Sequence, residues 1–241
     1  MRTAGQFQSV KDSWSRWRPS NLLASRPTSL RAAADDLRRK STLRYRSLKT
    51  LTPPVVEPVS LADAKGHCRV DSNDDDSYIA SLITAAREWV ESYMDEALVH
   101  QQLVMRLDGF PVEIELPRPP MASAQAYTAV SVTYTLDETG ATTTLPSSQY
   151  RVDRDSTPGV IRTNYGGAWP GHIMDYNSIS VTWWAGRGDS GASVPQGVRN
   201  AILMLVGFWY ERRLAADAGS INEVPFGVRA LLDAQRWGSY T

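Results

Sequence analysis

The chain has 241 residues, 42% of them hydrophobic, and its 26 Lys and Arg balance its 26 Asp and Glu. That is enough for one large domain or two small ones with a packed core. A lone cysteine, Cys68, excludes an intrachain disulfide, and the longest apolar run, Ala201 to Tyr210, is far short of the roughly 20 residues of a membrane-spanning helix.

The neutral balance conceals an asymmetry. The first fifty residues hold 12 Lys and Arg against 3 Asp and Glu, and the remaining 191 hold 14 against 23. Residues 1–50 are rich in Arg and Ser, sparse in apolar residues, and interrupted by Pro19 and Pro27. Such a segment buries too little apolar surface to offset its ordering entropy and reads as a disordered extension. Three uses fit its composition. It is a basic arm for nucleic acid, with Trp14 and Trp17 free to stack on bases. It is a transit peptide. Or it is a plain disordered tail, or upstream sequence translated from a start codon placed too early, and this third reading is the one we adopt, because basic composition alone is weak evidence.

The body, residues 51–241, reads as α+β. Thr52-Pro53-Pro54 and Glu57-Pro58 give a stiff, extended lead-in. Ser60 with Asp63 three residues later forms a capping-box-like start for a short helix, with Leu61, Ala64, Cys68 and Val70 on its buried side. The run Asp71 to Asp76 breaks it. A long amphipathic helix follows from Asp74 to Ala97, with Ile79, Leu82, Ile83, Ala86, Trp89, Val90, Tyr93, Met94 and Ala97 at helical spacing. Asp74, Asp75 and Asp76 sit at its start, where carboxylates meet the positive end of the helix dipole.

From residue 100 to 185 the period shifts toward two, and the chain reads as an antiparallel β unit of six or seven strands. These are Val99–Leu107, Val112–Leu116, a hairpin of Val130–Leu136 and Ala141–Leu145, then Tyr150–Val152, Val160–Arg162 and Ser178–Trp184. Helices resume at Val194-Pro195. The stretch Val198 to Tyr210 is apolar almost all round, which predicts burial on every side and, in so small a domain, a neighbouring subunit. A last helix spans Pro225 to Trp237, with Val228, Leu231, Leu232 and Gln235 inward. The whole is a small helical bundle, residues 60–99 and 194–237, with the β unit inserted.

Three motif echoes fail on their own chemistry. Asp71-x-Asn73-x-Asp75 opens like a calcium loop, but Asp76 stands where the turn needs Gly, and Leu82 where a bidentate Glu is needed. Gly186-x-Gly188-x-x-Gly191 mimics a dinucleotide loop without a βαβ unit around it. Gly188-Asp189-Ser190-Gly191, with Gly66-His67-Cys68, faintly echoes a serine protease, but a long helix has no place in that fold. His100 and His172 stand near no acid–base or ligand pattern. We therefore expect no catalytic residue, no cofactor and no metal.

The tracts LTPPVVEPVSLADAKGHCRVD and DDDSYIASLITAAREWVESYM resemble the N-terminal region of the head–tail connector (adaptor) proteins of long-tailed phages. The resemblance continues through SVTYTLDETGATTTLPSSQYRVD, Tyr165-Gly166-Gly167-Ala168-Trp169-Pro170, VPQGVRNAILMLVGFWYERR and NEVPFGVRALLDAQRW. It covers Leu51 to Trp237 and leaves residues 1–50 outside. It implies a non-enzymatic virion protein of the head–tail neck, assembled in a bacterial host cytoplasm, in phages, prophages or gene transfer agents. Such a subunit forms a homo-oligomeric ring, commonly a dodecamer, below the portal protein. The ring extends the channel for double-stranded DNA, which passes without specific binding, and docks stopper or tail proteins; no membrane is involved.

On this reading the expected interface residues are Trp209, Tyr210, Phe226, Leu231, Leu232 and Trp237. The acidic body suits a lumen that DNA slides past, with Asp74, Asp75, Asp76, Glu88, Glu91 and Asp95 as lining residues. The alternative is a nucleic-acid-binding module that uses the basic N-terminal arm.

Overall fold

The computed structural model describes residues 45–136, 139–212 and 226–236. The expectations for residues 1–44, for the Asp137-Glu138 turn and for Trp237 lie outside them. Among the described residues there are four α-helices: α1 (Leu61–Cys68), α2 (Asp76–Met94), α3 (Gln196–Glu211) and α4 (Phe226–Asp233). Eight strands accompany them: β1 (Ser47–Thr52), β2 (Gln101–Leu107), β3 (Ile114–Leu116), β4 (Ser131–Thr135), β5 (Thr142–Thr144), β6 (Tyr150–Asp153), β7 (Gly159–Thr163) and β8 (Ile179–Ala185). The chain is thus α+β, with the strands between α2 and α3 apart from β1.

The helix boundaries follow from their caps. The Ser60 side chain accepts from the Asp63 amide at 3.1 Å, satisfying one free donor of the first turn of α1. Arg69 and Asp95 end α1 and α2 in the left-handed region, at φ of 56° and 55°. Pro195 precedes α3, where its missing N–H costs nothing. Ile79, Ile83, Ala86, Val90 and Met94 form the buried stripe of α2. They share one apolar core with Ala64 of α1, Val198, Ala201, Ile202, Leu205 and Val206 of α3, and Val228 and Leu232 of α4.

All strand pairs are antiparallel, in two sheets. One runs in the order β1-β2-β8-β4-β5, the other β3-β7-β6. Period-two burial is clean in β8, where Ile179, Val181, Trp183 and Ala185 are buried and the residues between them half-buried. These side chains and Leu103 and Met105 of β2 pack with Ile114, Leu116 and Ile161 of the smaller sheet in a second core.

Several expectations need correcting. The ordered body begins before Leu51: Ser47 to Thr50, read as part of the extension, pair in register with Arg106 to Leu103. Alternating side chains were too few there to signal a strand, and the neighbouring β2 supplies the missing hydrogen bonds. Ala97 lies beyond α2 and belongs to the β core, because the helix stops at Asp95. Gln235 is exposed rather than inward. Finally, α3 is not enclosed on every side. One face is fully buried, while Leu203, Met204, Phe208, Trp209 and Tyr210 are half-buried, since α1 and α4 cover only its flanks.

Candidate functional site

Two links join the helices to the β unit, and they run side by side. The Arg187 amide donates to the Leu98 carbonyl at 3.2 Å, and the His100 amide donates to the Gly188 carbonyl at 2.8 Å. The strands on either side continue this pairing, Gln101 opposite Ala185. The approach is close enough to require glycine. Gly186 has φ of 130°, and a Cβ there would fall 2.4 Å from the Val99 carbonyl carbon. A Cβ on Gly191 would fall 2.6 Å from the Pro58 carbonyl oxygen. Two of the three glycines that mimicked a dinucleotide loop, Gly186 and Gly191, therefore serve backbone-on-backbone packing, and Gly188 makes room for the Ser193 side chain.

A buried charge cluster fastens this junction. The Glu91 carboxylate accepts from the Leu98 amide at 2.9 Å, from Gln101 Nε2 at 2.9 Å and from Arg87 Nη1 at 3.0 Å. Arg87 Nε donates to Glu57 Oε2 at 2.8 Å, and Thr84 Oγ1 to Glu57 Oε1 at 2.9 Å. Glu96, also buried, pairs with Arg187 across the two links. Burial pushes the Glu91 carboxyl above the usual carboxylate range, and the Leu98 amide, Arg87 and Gln101 pull it part of the way back.

Glu91 therefore cannot line a lumen, which corrects the expectation for it: its side chain ties α2 to Leu98 and to β2, while Arg87 ties α2 to the lead-in. The sequence held a usable signal. Arg87 and Glu91 are an i, i+4 pair bordering the apolar stripe, and Arg precedes Glu, the weaker order on an exposed helix. A pair in that order and place is better explained by tertiary contacts than by helix stabilisation.

The other acidic residues fall into two groups. Asp75 and Asp76 are half-buried and engaged: Asp75 accepts from Tyr210 Oη at 2.7 Å, and Asp76 pairs with Lys65 at 2.7 Å. Asp74, Glu88 and Asp95 are exposed. Glu88 and Asp95 are two turns apart on one face of α2. The same face exposes Ser77, Ser81, Ala85 and Ser92, with Arg87 3.6 Å from Glu88 and Arg118 3.8 Å from Asp95.

The expected interface residues separate as well. Leu232 is fully buried in the chain's own core, so it offers nothing to a neighbour; Leu231 is half-buried beside it. Trp209 is half-buried against the helical core. Tyr210 leans on Tyr78, with ring centroids 6.2 Å apart, and is held by Asp75. Phe226 is 86% exposed. Replacing Tyr210 with phenylalanine is expected to lower stability by about 1 kcal/mol through the lost bond to Asp75. Chemical denaturation would measure it, and a loss under about 0.3 kcal/mol would contradict the anchoring role.

The protease echo does not assemble. His67 lies against Gly207, where a Cβ would come 3.1 Å from its ring. Ser190 lies before the start of α3, with its Oγ 3.3 Å from Ser193 Oγ. From Gln196 to Gly207, α3 alone spans about 16 Å. Among the described residues no group of three or more His, Cys, Asp and Glu is placed to hold a metal ion, and no helix is long and apolar enough to cross a membrane.

Residues 58–141 match the phage gp6-like head-tail connector protein family. No curated protein matches the chain. Among solved structures, a chain in the neck of an empty gene transfer agent particle with C6 symmetry shares the fold. It is 21% identical, with a TM-score of 0.63 over 79% of this chain and 95% of that one. A chain in the virion of a native gene transfer agent particle gives 21% identity and a TM-score of 0.61, over 78% and 94%. A third, in the neck of a native particle with C12 symmetry, gives 22% and 0.56, over 79% and 94%. At such identities the likeness shows a common architecture, and the resemblance read from the sequence stands with it.

Proposed function

We propose that this chain is a structural subunit of a head–tail neck, a connector that closes into a ring beneath the portal, extends the DNA channel and offers its far side to stopper or tail proteins. The observation that carries the reading is the connector-family match across residues 58–141, which includes α1, α2 and the Arg87–Glu91 pair. The shared fold with chains from C6 and C12 necks supports a ring. So does the half-exposed apolar flank of α3, which one copy does not cover.

The face of α2 bearing Ser77, Ser81, Ala85, Glu88, Ser92 and Asp95 is our choice for the lumen. Each Lys or Arg on a DNA-facing wall adds a phosphate contact and a salt-dependent increment of affinity. A wall with two carboxylates, whose neighbouring cations Arg87 and Arg118 are paired with them, lets a duplex slide. Glu88→Lys with Asp95→Lys is expected to create DNA retention: about 10-fold slower ejection from particles, relieved by raising the salt concentration. Unchanged ejection at low salt would remove this face from the lumen.

Location is tested by tagging the C-terminus, producing particles and imaging their necks. The expected result is ring density between portal and tail that carries the tag. Tag on the capsid shell, or none in particles, would overturn the proposal. Mass spectrometry of the N-terminus from the same particles tests whether residues 1–50 are part of the mature subunit.

A further inference from the structure

One buried titratable group sits on the joint between the helices and the β unit. His100 ends the first link, just before β2, and is 8% exposed. Its amide is committed to the Gly188 carbonyl of the second link. Its imidazole lies against Tyr127, with ring centroids 4.3 Å apart, and Tyr127 lies against Trp184. The three rings thus meet in sequence on the face of the larger sheet that Trp184 shares. Tyr127 closes a short 3-10 turn, Gln125–Tyr127, through its amide bond to the Ala124 carbonyl at 2.8 Å. The Ala122 amide ties the same stretch to the Trp184 carbonyl at 2.9 Å.

The His100 Nδ1 is enclosed and has no hydrogen-bond partner among the described residues. A neutral imidazole tolerates this, because it can carry its proton on Nε2 and leave Nδ1 bare. An imidazolium must donate from both nitrogens, and the enclosed position offers Nδ1 no acceptor. Burial accordingly pushes the His100 pKa below the usual histidine value, and the Asp189 carboxylate pulls it part of the way back. Asp189 is exposed and follows Gly188 on the second link. The other charged groups on the surrounding elements are engaged elsewhere. Glu96 and Arg187 pair with each other, and Arg154 bonds to the Ala122 and Thr128 carbonyls that flank the turn. Tyr127 and Trp184 bring no charge.

We propose that His100 is an acid-operated latch on the joint: once protonated, it leaves Tyr127 for Asp189 and water, and the Gln125–Tyr127 turn opens. The sign follows from the neutral closed form. Closure is favoured above the ordinary histidine pKa of about 6.5 and loses ground as pH falls below it. With the open form titrating as a free histidine, closure is about 10-fold less favoured at a pH of about 5.5 than at about 7.5. The joint is therefore stiff near neutrality and looser in acid.

The test is hydrogen exchange on the full chain, read as protection factors so that the intrinsic pH dependence of exchange drops out. Between those two pH values, amides of residues 122–128 are expected to lose about 10-fold protection beyond any change at α2. His100→Phe, which keeps a ring against Tyr127, is expected to show no such loss. Asp189→Asn, at an exposed position, is expected to move the midpoint of opening to lower pH, because the carboxylate favours the charged imidazole. Equal protection at both pH values in the unaltered chain, or a loss that persists in His100→Phe, would overturn the latch. So would a midpoint unmoved by Asp189→Asn. Should His100→Phe not fold, the His100 ring resonances decide: their titration must share the midpoint of opening, and a separate midpoint sinks the proposal.

Discussion

Glu91→Ala should destabilise the fold by about 3–5 kcal/mol, the cost of breaking a buried ion pair from one side. The substitution takes from buried Arg87 its one buried partner, leaving Glu57 and, at 3.6 Å, exposed Glu88, and strips the Leu98 amide and Gln101 of their acceptor. Glu91→Gln should cost less, because an amide oxygen still accepts from Leu98. Urea denaturation of the full chain measures both; a loss under about 1 kcal/mol for the alanine variant would mean that the cluster is ornamental.

The pH dependence has a defined sign. The folded-state pKa of Glu91 lies above its unfolded value, so the native state binds more protons in the window between them. The Glu91 contribution is most favourable below the unfolded pKa and is lost as pH rises through the folded one. Asp108 and Asp153 carry the opposite sign. Asp108 is held down by the Asn177 amide and Arg46, Asp153 by the Ser156 hydroxyl and amides, and their contributions are lost as pH falls. Glu91→Gln should remove the first component and leave the second.

A loss of similar size, about 3–5 kcal/mol, is expected for Trp183→Ala. Trp183 is fully buried at the centre of the larger sheet, paired in register with Leu103. Its removal opens the largest single cavity in the β core that an alanine substitution there can make. Trp184, the next residue, points to the other face and packs against Tyr127 at a tilt of 57°, with centroids 4.8 Å apart. Trp184→Ala should cost markedly less, because its site is half-open to solvent. Equal losses at the two positions would show that the sheet does not discriminate between its faces.

That contrast bears on what the sequence revealed. Neither tryptophan is distinguishable by type, but alternation from Ile179 to Ala185 assigns Trp183 inward. The seven strands of the insert and all four helices were legible because each carries a period or a cap. Strand β1 was not: Ser47–Thr52 has one large apolar residue on each face, and it exists as a strand because β2 offers an edge. Burial at the interface candidates was half legible. Apolar spacing located Leu232 and Phe226 on one helix, but only packing separates the buried one from the exposed one. Glu91 misled for the same reason, since an acidic residue on a helix is solvated far more often than it is buried.

The pairing of Leu98 with Arg187 carries a consequence for how such a chain can evolve. The two ends of the β unit leave the helices as neighbours, so from the helical side the whole insert occupies the footprint of a hairpin. Its strands can lengthen, shorten or be exchanged without altering the spacing of α2 and α3, because the stretch that fixes that spacing, Glu96 to His100 against Gly186 to Gly188, precedes the first strand of the insert and follows the last. Selection can thus remodel the insert while the helices stay under separate constraint. The chain is built so that one of its two cores can change without renegotiating the other.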